Sequence, residues 1–282
     1  MTTLVTGATG NLGRLVIASL LERGVSATSI VAGARDVAKG ADLGVRVVPL
    51  DYDDPSSIRA ALDGVDTVVL ISAPEVGQRL AQHQAVIEAA RSADVAKFVY
   101  TSVTRASTSG LILAAEHKAT EESISAAGLP AVILRNNWYH ENYAADLALA
   151  AETGILASAV GDGRVASASR KDYADAVAVV VLEDGHIGEI YELAGDAVWD
   201  YSDLAAAFAE ITGRDVSYEP ISFEQKVAAL REAGLDERLA GLIASLDTGI
   251  ADGALDDSDG TLARLIGRPT TPLIEGLRAA AA

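Results

Sequence analysis

The chain has 282 residues, no cysteine, and 22 Lys and Arg against 40 Asp and Glu, a formal net charge of −18. That excess of negative charge argues against a nucleic-acid or anionic-membrane partner and leaves room only for local basic pockets. With no thiol there is no disulfide, no cysteine nucleophile and no cysteine metal site, while a hydrophobic share of 50% supplies a sizeable core.

Met1-Thr2-Thr3 runs straight into Leu4-Val5, with no basic stretch and no cleavable apolar segment. No signal peptide is expected, and no run reaches the ~18 apolar residues of a membrane helix. The expectation is a soluble cytoplasmic protein. The first strand is Thr3 to Thr6, followed by a helix from Asn11 to Arg23 with Leu12, Leu15, Val16, Ser19 and Leu20 on one face. Strands follow at Ser29 to Ala34 and Arg46 to Leu50. Asp54-Pro55 reads as a helix cap with proline in the first helical position, opening a helix to Leu62. A strand at Thr67 to Ile71, a helix at Gly77 to Ala93, a strand at Lys97 to Thr101, a helix at Ala115 to Ala127 and a strand at Ala131 to Leu134 complete the alternation. The runs VVLI and AVIL show no polar alternation, so both their faces must be covered. The pattern predicts an α/β fold, a Rossmann-type doubly wound parallel sheet.

After about residue 145 the rhythm changes. Residues 154–169 are rich in Gly, Ala and Ser, with a turn signal at Gly161-Asp162-Gly163. A helix from Asp172 to Leu182, a strand from Glu189 to Leu193, and helical stretches broken by Gly213, Gly234 and Gly249 follow. This predicts a dinucleotide-binding core over 1–145 and, over 146–282, a smaller, mostly helical lobe interleaved with it. The poly-alanine end, Ala279 to Ala282, is expected to fray.

The first strand leads into Thr6-Gly7-Ala8-Thr9-Gly10-Asn11-Leu12-Gly13, where a helix begins. Glycines at this spacing permit a tight turn, let backbone touch a pyrophosphate, and bring free helical N–H groups to the anion. A glycine triplet alone is weak; its place between the first strand and the first helix is the confirming context. At the end of the second strand, Ala32-Gly33-Ala34 is small and uncharged and Arg35 comes next. A guanidinium there can fork onto a 2′-phosphate, which favours NADP over NAD, although Asp36 follows, either as a ribose acceptor or as a cap on Arg35. Asp51 closes the third strand, a position beside the adenine in this fold, and can also cap the next helix, the two roles being compatible. In an open parallel sheet ligands bind beyond the carboxyl ends of the strands. Ser72 and Ala73 after the fourth strand and Ser102 in the fifth are small and leave room for a flat ring. Asn136, Asn137, Trp138 and Tyr139 after the sixth form a dense group of amides and aromatics, either a ligand wall or a capping network.

The glycine loop, SAPEVGQR (72–79), Tyr100-Thr101-Ser102, LRNNWYHENY (134–143), GDGRVASASRKDY (161–173), YELAGD (191–196) and GRPTT (267–271) together resemble the NmrA-like branch of the atypical short-chain dehydrogenase/reductases, over nearly the whole chain. Within it they are most like its NADPH-dependent quinone oxidoreductases. The resemblance implies that Gly7, Thr9, Gly10, Asn11, Leu12 and Gly13 hold the pyrophosphate and Arg35 the 2′-phosphate. It places Ser72 and Ala73 beside the nicotinamide ribose, and Asn136, Trp138 and Tyr139 against the nicotinamide and the quinone, with Asn136 and Tyr139 as the catalytic pair. Arg170 matches the family pattern with either a cofactor or a structural role. The Tyr-x-x-x-Lys of typical short-chain dehydrogenases is absent: counting back from Lys118, its tyrosine position holds Ala114. An alkoxide product needs a positioned proton donor, whereas a quinone yields a phenolate-like oxygen of pKa about 10, so the missing tyrosine suits quinone reduction. His83, His117, His140 and His186 show no metal-ligand spacing, and no metal is expected. The alternatives are a redox-sensing regulator that binds dinucleotide without turnover, and a reductase of another electrophile such as an azo compound, an enone or a lignan-type ether.

Overall fold

A computed structural model describes residues 1–73 and 75–281, so that of the sequence readings Pro74 and Ala282 lie outside the described residues. The elements in chain order are β1 (Thr3–Val5), α1 (Asn11–Glu22), β2 (Ile30–Ala34), β3 (Arg46–Pro49), α2 (Pro55–Ala61), β4 (Thr67–Leu70), α3 (Arg79–Ser92), β5 (Lys97–Val103), α4 (Ala114–Ala127) and β6 (Ala131–Asn136). They continue with α5 (Ala144–Thr153), β7 (Ile155–Ser158), β8 (Arg164–Val165), α6 (Arg170–Leu182), β9 (Ile190–Leu193), β10 (Trp199–Asp200) and α7 (Tyr201–Thr212). The last are β11 (Ser217–Pro220), α8 (Phe223–Glu232), α9 (Glu237–Ala251), α10 (Thr261–Ile266) and α11 (Leu273–Ala281). Among the described residues no helix is long and apolar enough to cross a membrane.

The chain divides into two compact units. The first takes residues 1–106, 115–136 and 170–192; the second takes 107–114, 137–169 and 193–282. The change in rhythm near residue 145 is therefore not where the units part: the chain leaves the first unit after Asn136, and α6 with most of β9 returns to it. The reason is burial. Helix α6 is buried along most of its length, with Tyr173, Ala174 and Ala176 to Val181 covered, and packs along α1, where Asp175 accepts from Ser19 Oγ at 2.8 Å.

The first unit is built on the sheet β3-β2-β1-β4-β5-β6-β9, in which the pairings from β3 through β6 are parallel. The two-way winding predicted from the apolar strands is present. Leu4, Val31, Val68, Leu70, Phe98 and Tyr100 point to one face, where Ile58 of α2, Val86 and Ile87 of α3 and Ile124 of α4 close over them. At roughly 1.5–3 kcal/mol for each large side chain fully buried, this cluster is a main source of the unit's stability. Asp54 caps α2 as read from sequence, its carboxylate accepting the Ser56 N–H at 2.9 Å. Lys97, at the start of β5, is buried because its ammonium donates to the carbonyls of Val180 (2.8 Å), Val181 (3.1 Å) and Glu183 (2.9 Å) at the end of α6. Those carbonyls have no intrahelical partner, so a cation there satisfies them and the helix dipole together.

In the second unit, β7 pairs in parallel with β11 and β8 antiparallel with β10, with helices making up most of the remainder. Gly213 ends α7 in the left-handed conformation, as expected. Gly249 does not break a helix: it lies inside α9, where an added Cβ would stand 2.9 Å from Leu111 Cδ1, so it permits close packing instead. Ala279 to Ala281, expected to fray, continue α11. In the YELAGD stretch, a Cβ on Gly195 would lie 2.0 Å from the Ser167 carbonyl oxygen, a contact with backbone that nothing flexible can relieve. Gly195→Ala should cost about 3 kcal/mol and lower Tm by roughly 6–12 °C. A thermal melt within 2 °C, on the order of error, would show that the 166–168 backbone yields.

Candidate dinucleotide site

The glycine loop begins at the carboxyl end of β1, in the middle of the sheet. Thr6 N–H donates to the Val69 carbonyl of β4 (3.0 Å) and Ala8 N–H to the Gly33 carbonyl of β2 (3.1 Å), so both neighbouring strands hold it. Gly7 turns the chain at φ +56°, and Gly10 N–H closes the turn on the Gly7 carbonyl at 2.9 Å. Gly13 lets α1 sit directly on this turn: a Cβ there would be 2.4 Å from Gly7 O and 2.7 Å from Ala8 Cα. Gly10 is the N-cap of α1 and offers no side-chain acceptor, and no acidic residue stands in the first helical turn. The helix N-terminus thus keeps its N–H donors and positive end for an anion from outside, in a cradle without side chains that fits a dinucleotide pyrophosphate. Thr9 is half-buried and Gly10 and Asn11 are exposed at the mouth, while Leu12 and Gly13 are buried beneath. Arg14, unremarked in the sequence, secures the loop: its Nε donates to Thr9 O (3.3 Å) and its Nη atoms to Asp42 (2.8 Å) and the Lys39 carbonyl. The same bonds hold the Asp42 carboxyl below its ordinary range.

The floor is tied by Tyr52. Its buried hydroxyl lies 2.6 Å from Thr6 Oγ1 and 2.9 Å from Ile71 O, joining the ends of β1 and β4, and burial raises its pKa. Asp51 accepts the Asp53 N–H (3.1 Å), and its own N–H donates to Ser57 Oγ at 3.0 Å. Its carboxylate holds the turn that precedes α2, while the cap of that helix is Asp54 and not Asp51. Arg35 follows β2 directly, with 64% of its side chain exposed, and its Nη1 pairs with Glu75 Oε1 at 3.1 Å. Asp36 does not engage Arg35 in that way; its Oδ1 accepts the Ala38 N–H (3.0 Å) as a local cap.

Beyond β4, Ser72 N–H donates to Thr101 Oγ1 at 3.1 Å. Ala73 is held on both sides. Its N–H donates to His83 Nε2 (3.0 Å), and its carbonyl accepts from Arg79 Nε (2.8 Å). Because Nε2 accepts a backbone N–H, His83 carries its proton on Nδ1 and donates it to Thr120 Oγ1 (3.0 Å), which donates onward to Glu116 O at 2.9 Å. Arg79 Nη1 pairs with Glu116 (3.3 Å), whose other oxygen accepts the Gly77 N–H at 2.9 Å. Tyr100 OH meets His117 Nδ1 at 2.7 Å in the same layer. Burial, reinforced by the nearby Arg79 charge, lowers the His83 pKa to about 3 and the His117 pKa well below its ordinary value. Both rings are neutral, and Lys118 is exposed on the outer surface of α4. Ala73, Gly77 and Arg79 of the SAPEVGQR motif are thus set in place by a buried polar network.

Ser102 is buried near the end of β5, and its hydroxyl donates to Glu121 of α4. Glu121 also takes a two-pronged bond from Arg135 (Nε 3.0 Å, Nη2 2.6 Å), and Arg135 Nη1 reaches Glu192 at 2.9 Å. Glu192 accepts in turn from Thr104 Oγ1 (3.1 Å) and Arg105 N–H (2.9 Å). Sequence gave one signal for this network: a charged Arg135 closing an apolar strand. Asn136, the last residue of β6, is 3% exposed, and its carbonyl accepts the Thr104 N–H at 2.9 Å. Arg170 is the first residue of α6 and half-buried. The first unit therefore brings together the glycine loop, Arg35, Asp51, Ser72, Ala73, Ser102 and Asn136 at the carboxyl ends of its strands.

Trp138 and Tyr139 belong to the second unit. Trp138 O accepts the Ala168 N–H (3.1 Å), His140 N–H donates to Ala168 O (3.0 Å), and Tyr139 bridges to Ala168, so residues 138–140 run beside 166–168 like a short strand pair. Asn137 is satisfied by backbone: its N–H donates to Leu193 O (2.8 Å), its Nδ2 to Leu255 O (3.2 Å), and its Oδ1 accepts the Trp138 N–H at 2.7 Å. Buried His140 gives its Nε2 proton to Thr271 O (3.0 Å) and accepts at Nδ1 from Ser167 Oγ at 2.7 Å. Ser167 Oγ itself accepts from Trp199 Nε1 at 3.0 Å.

The NmrA-like family model matches residues 1–263, and the chain belongs to that family. It is 46% identical over 276 residues to quinone oxidoreductase 2 of Escherichia coli (strain K12), covering 97% of this chain and 96% of that one. An NAD(P)H azoreductase of Xenophilus azovorans is 28% identical, with coverage of 99% and 98%. Among solved structures, an NADPH-dependent quinone oxidoreductase from E. coli complexed with NADPH superposes with a TM-score of 0.94 at 45% identity, over 99% of both chains. A Citrobacter sp. triphenylmethane reductase complexed with NADP(H) gives 0.94 at 36% identity, over 99% of this chain and 100% of that one.

His83 binds no proton in the folded protein until the pH nears 3, but binds one below about 6.5 when unfolded. The unfolded chain therefore holds more protons across that window. Stability should be complete above pH 6.5 and fall on acidification toward pH 3, by up to about 1.4 kcal/mol per pH unit for this one proton. His83→Gln keeps an acceptor for the Ala73 N–H and removes the titration. Urea unfolding between pH 6 and 4, roughly the usable range, should give the variant a shallower slope by nearly one proton; an equal slope would mean that His83 is not the group responsible.

Proposed function

We propose that the protein is an NADPH-dependent oxidoreductase that reduces quinone-type acceptors by two electrons. The observation that carries this reading is the glycine cradle with Arg35 beside it, at the strand ends of a chain 46% identical over 97% of its length to a quinone oxidoreductase. NADPH, when bound, supplies the reducing equivalent. The chain's own residues do the rest. The N–H groups opening α1 and the bare loop from Gly7 to Gly13 receive the pyrophosphate, with Thr9, Asn11 and Leu12 in that loop. Arg35 receives the 2′-phosphate. Ser72 and Ala73, their backbone fixed by Thr101, His83 and Arg79, line the far end of the same strand edge.

The acceptor class follows from what α4 lacks. Ala114 is buried where a tyrosine donor would stand and Lys118 is exposed, so no Tyr-Lys pair is present to protonate an alkoxide. A quinone oxygen needs only hydrogen bonding as it gains charge, since a phenol of pKa about 10 leaves a stable anion. Asn136, rigid at the end of β6, supplies that bond in this reading. A soluble small-molecule reductase of this kind works in the cytoplasm on a dissolved acceptor, without nucleic acid. The triphenylmethane reductase and azoreductase relatives make dyes the natural second class to assay.

NADPH oxidation against a panel of quinones, with azo and triphenylmethane dyes and NADH alongside, tests the function. Turnover with at least one quinone is expected; tight NADPH binding with no turnover on any acceptor would replace the enzyme with a dinucleotide sensor. Arg35→Ala should weaken NADPH by about 1.5 kcal/mol, the lower end for a bond to a charged group because the site is open to solvent, and leave NADH nearly unchanged. Asn136→Ala should lower kcat by ~10–1,000-fold with little change in NADPH affinity. A lowered Tm with normal kcat would make Asn136 a structural residue only.

A further inference from the structure

Strands β2 and β4 are not neighbours, for β1 lies between them. With strands about 4.8 Å apart, a side chain beyond the end of β2 meets one beyond β4 only by reaching over the end of β1, where the glycine loop starts. Arg35 and Glu75 meet in this way, Nη1 to Oε1 at 3.1 Å. Both charges act on the Tyr52 hydroxyl, Glu75 raising its pKa and Arg35 lowering it. That hydroxyl touches Thr6 and lies 3.8 Å from where Gly7 would carry a Cβ. The ion pair therefore stands above the floor of the cradle.

Glu75 is delivered there by fixed backbone. Its carbonyl accepts the N–H groups of Gln78 (3.1 Å) and Arg79 (3.0 Å), and the Arg79 side chain reaches back to Ala73. The carboxylate takes a single nitrogen of the guanidinium. A 2′-phosphate, carrying more negative charge than a carboxylate, would draw on the same group and be repelled by Glu75. A 2′-hydroxyl makes no such claim on Arg35, and a carboxylate accepts its hydrogen bond readily.

We propose that Glu75 is an internal competitor for the 2′-phosphate at Arg35, and so sets how strongly the protein prefers NADPH over NADH. The proposal rests on the reading of Arg35 as the 2′-phosphate contact. Removing the charge relieves the competition, so Glu75→Gln tightens NADPH by about three- to fivefold, the worth of a solvent-exposed ion pair, and leaves NADH unchanged or weaker.

Calorimetric titration of the full chain with NADPH, NADH, 2′,5′-ADP and 5′-AMP tests this on the wild type, Glu75→Gln, Arg35→Ala and the double variant, with a thermal melt confirming that each is folded. Glu75→Ala serves as a second variant. The expected result is a rise of about threefold or more in the NADPH-to-NADH and 2′,5′-ADP-to-5′-AMP preferences in Glu75→Gln, and a clearly smaller rise, from relief of the direct repulsion alone, when Arg35 is already alanine. An unchanged or reduced preference in both Glu75 variants overturns the competitor. If Arg35→Ala weakens NADPH and NADH alike, the 2′-phosphate reading itself falls. If Arg35→Ala is selective while the Glu75 variants are silent, only the competitor falls.

Discussion

Helix α1 stands on the carbonyl of Gly7. One added carbon on Gly13 would be 2.4 Å from that oxygen, so the helix approaches the end of β1 as closely as a backbone permits. The rest of the site inherits its position from this contact. It aims the first helical N–H groups across the loop, it lets Gly10 rather than a capping side chain open the helix, and it puts Arg14 where one guanidinium ties Thr9 to the turn after β2. A larger residue at position 13 would not remove a contact; it would move the axis along which the anion is received.

The other half of the strand edge is organised by buried polar groups, which stabilise only when each is paired. From Ala73 through His83, Thr120 and Glu116 every proton has a direction, set by a backbone N–H at one end and a carbonyl at the other. Glu121, Arg135 and Glu192 do the same beneath Ser102 and Thr104 with full charges. Such networks hold one geometry well, because a shift in any member leaves a neighbour unsatisfied in a low-dielectric interior. They give the ends of β4, β5 and β6 a fixed relation within the first unit.

Much of this was legible in the sequence, and the parts that were not share a cause. Apolar runs such as VVLI, the glycine spacing and Asp54-Pro55 are local signals, and the strands, the loop and the cap lie where they predict. Gly249 misled because a glycine has two uses, ending a helix or admitting a neighbour, and Leu111 decides between them from far away in the chain. Arg35 was found by its place after β2, yet its partner Glu75 is 40 residues on, and Arg135 meets Glu192 across 57. Residue type and period reveal which groups need partners; only the fold supplies the partners.

The return of α6 to the sheet bears on how the protein is made. When residue 136 leaves the ribosome, six strands of the first unit exist, but the helix that packs along α1 and the strand that covers β6 do not. Residues 137–169 must be synthesised first. Until then the flank that α6 will cover is open, the kind of apolar exposure that invites misassembly, and the Lys97 ammonium keeps its water. Docking of α6 exchanges that water for three carbonyls. The nascent sheet thus carries a hydrated cation at the place its last helix must reach, a polar guard on an unfinished apolar surface.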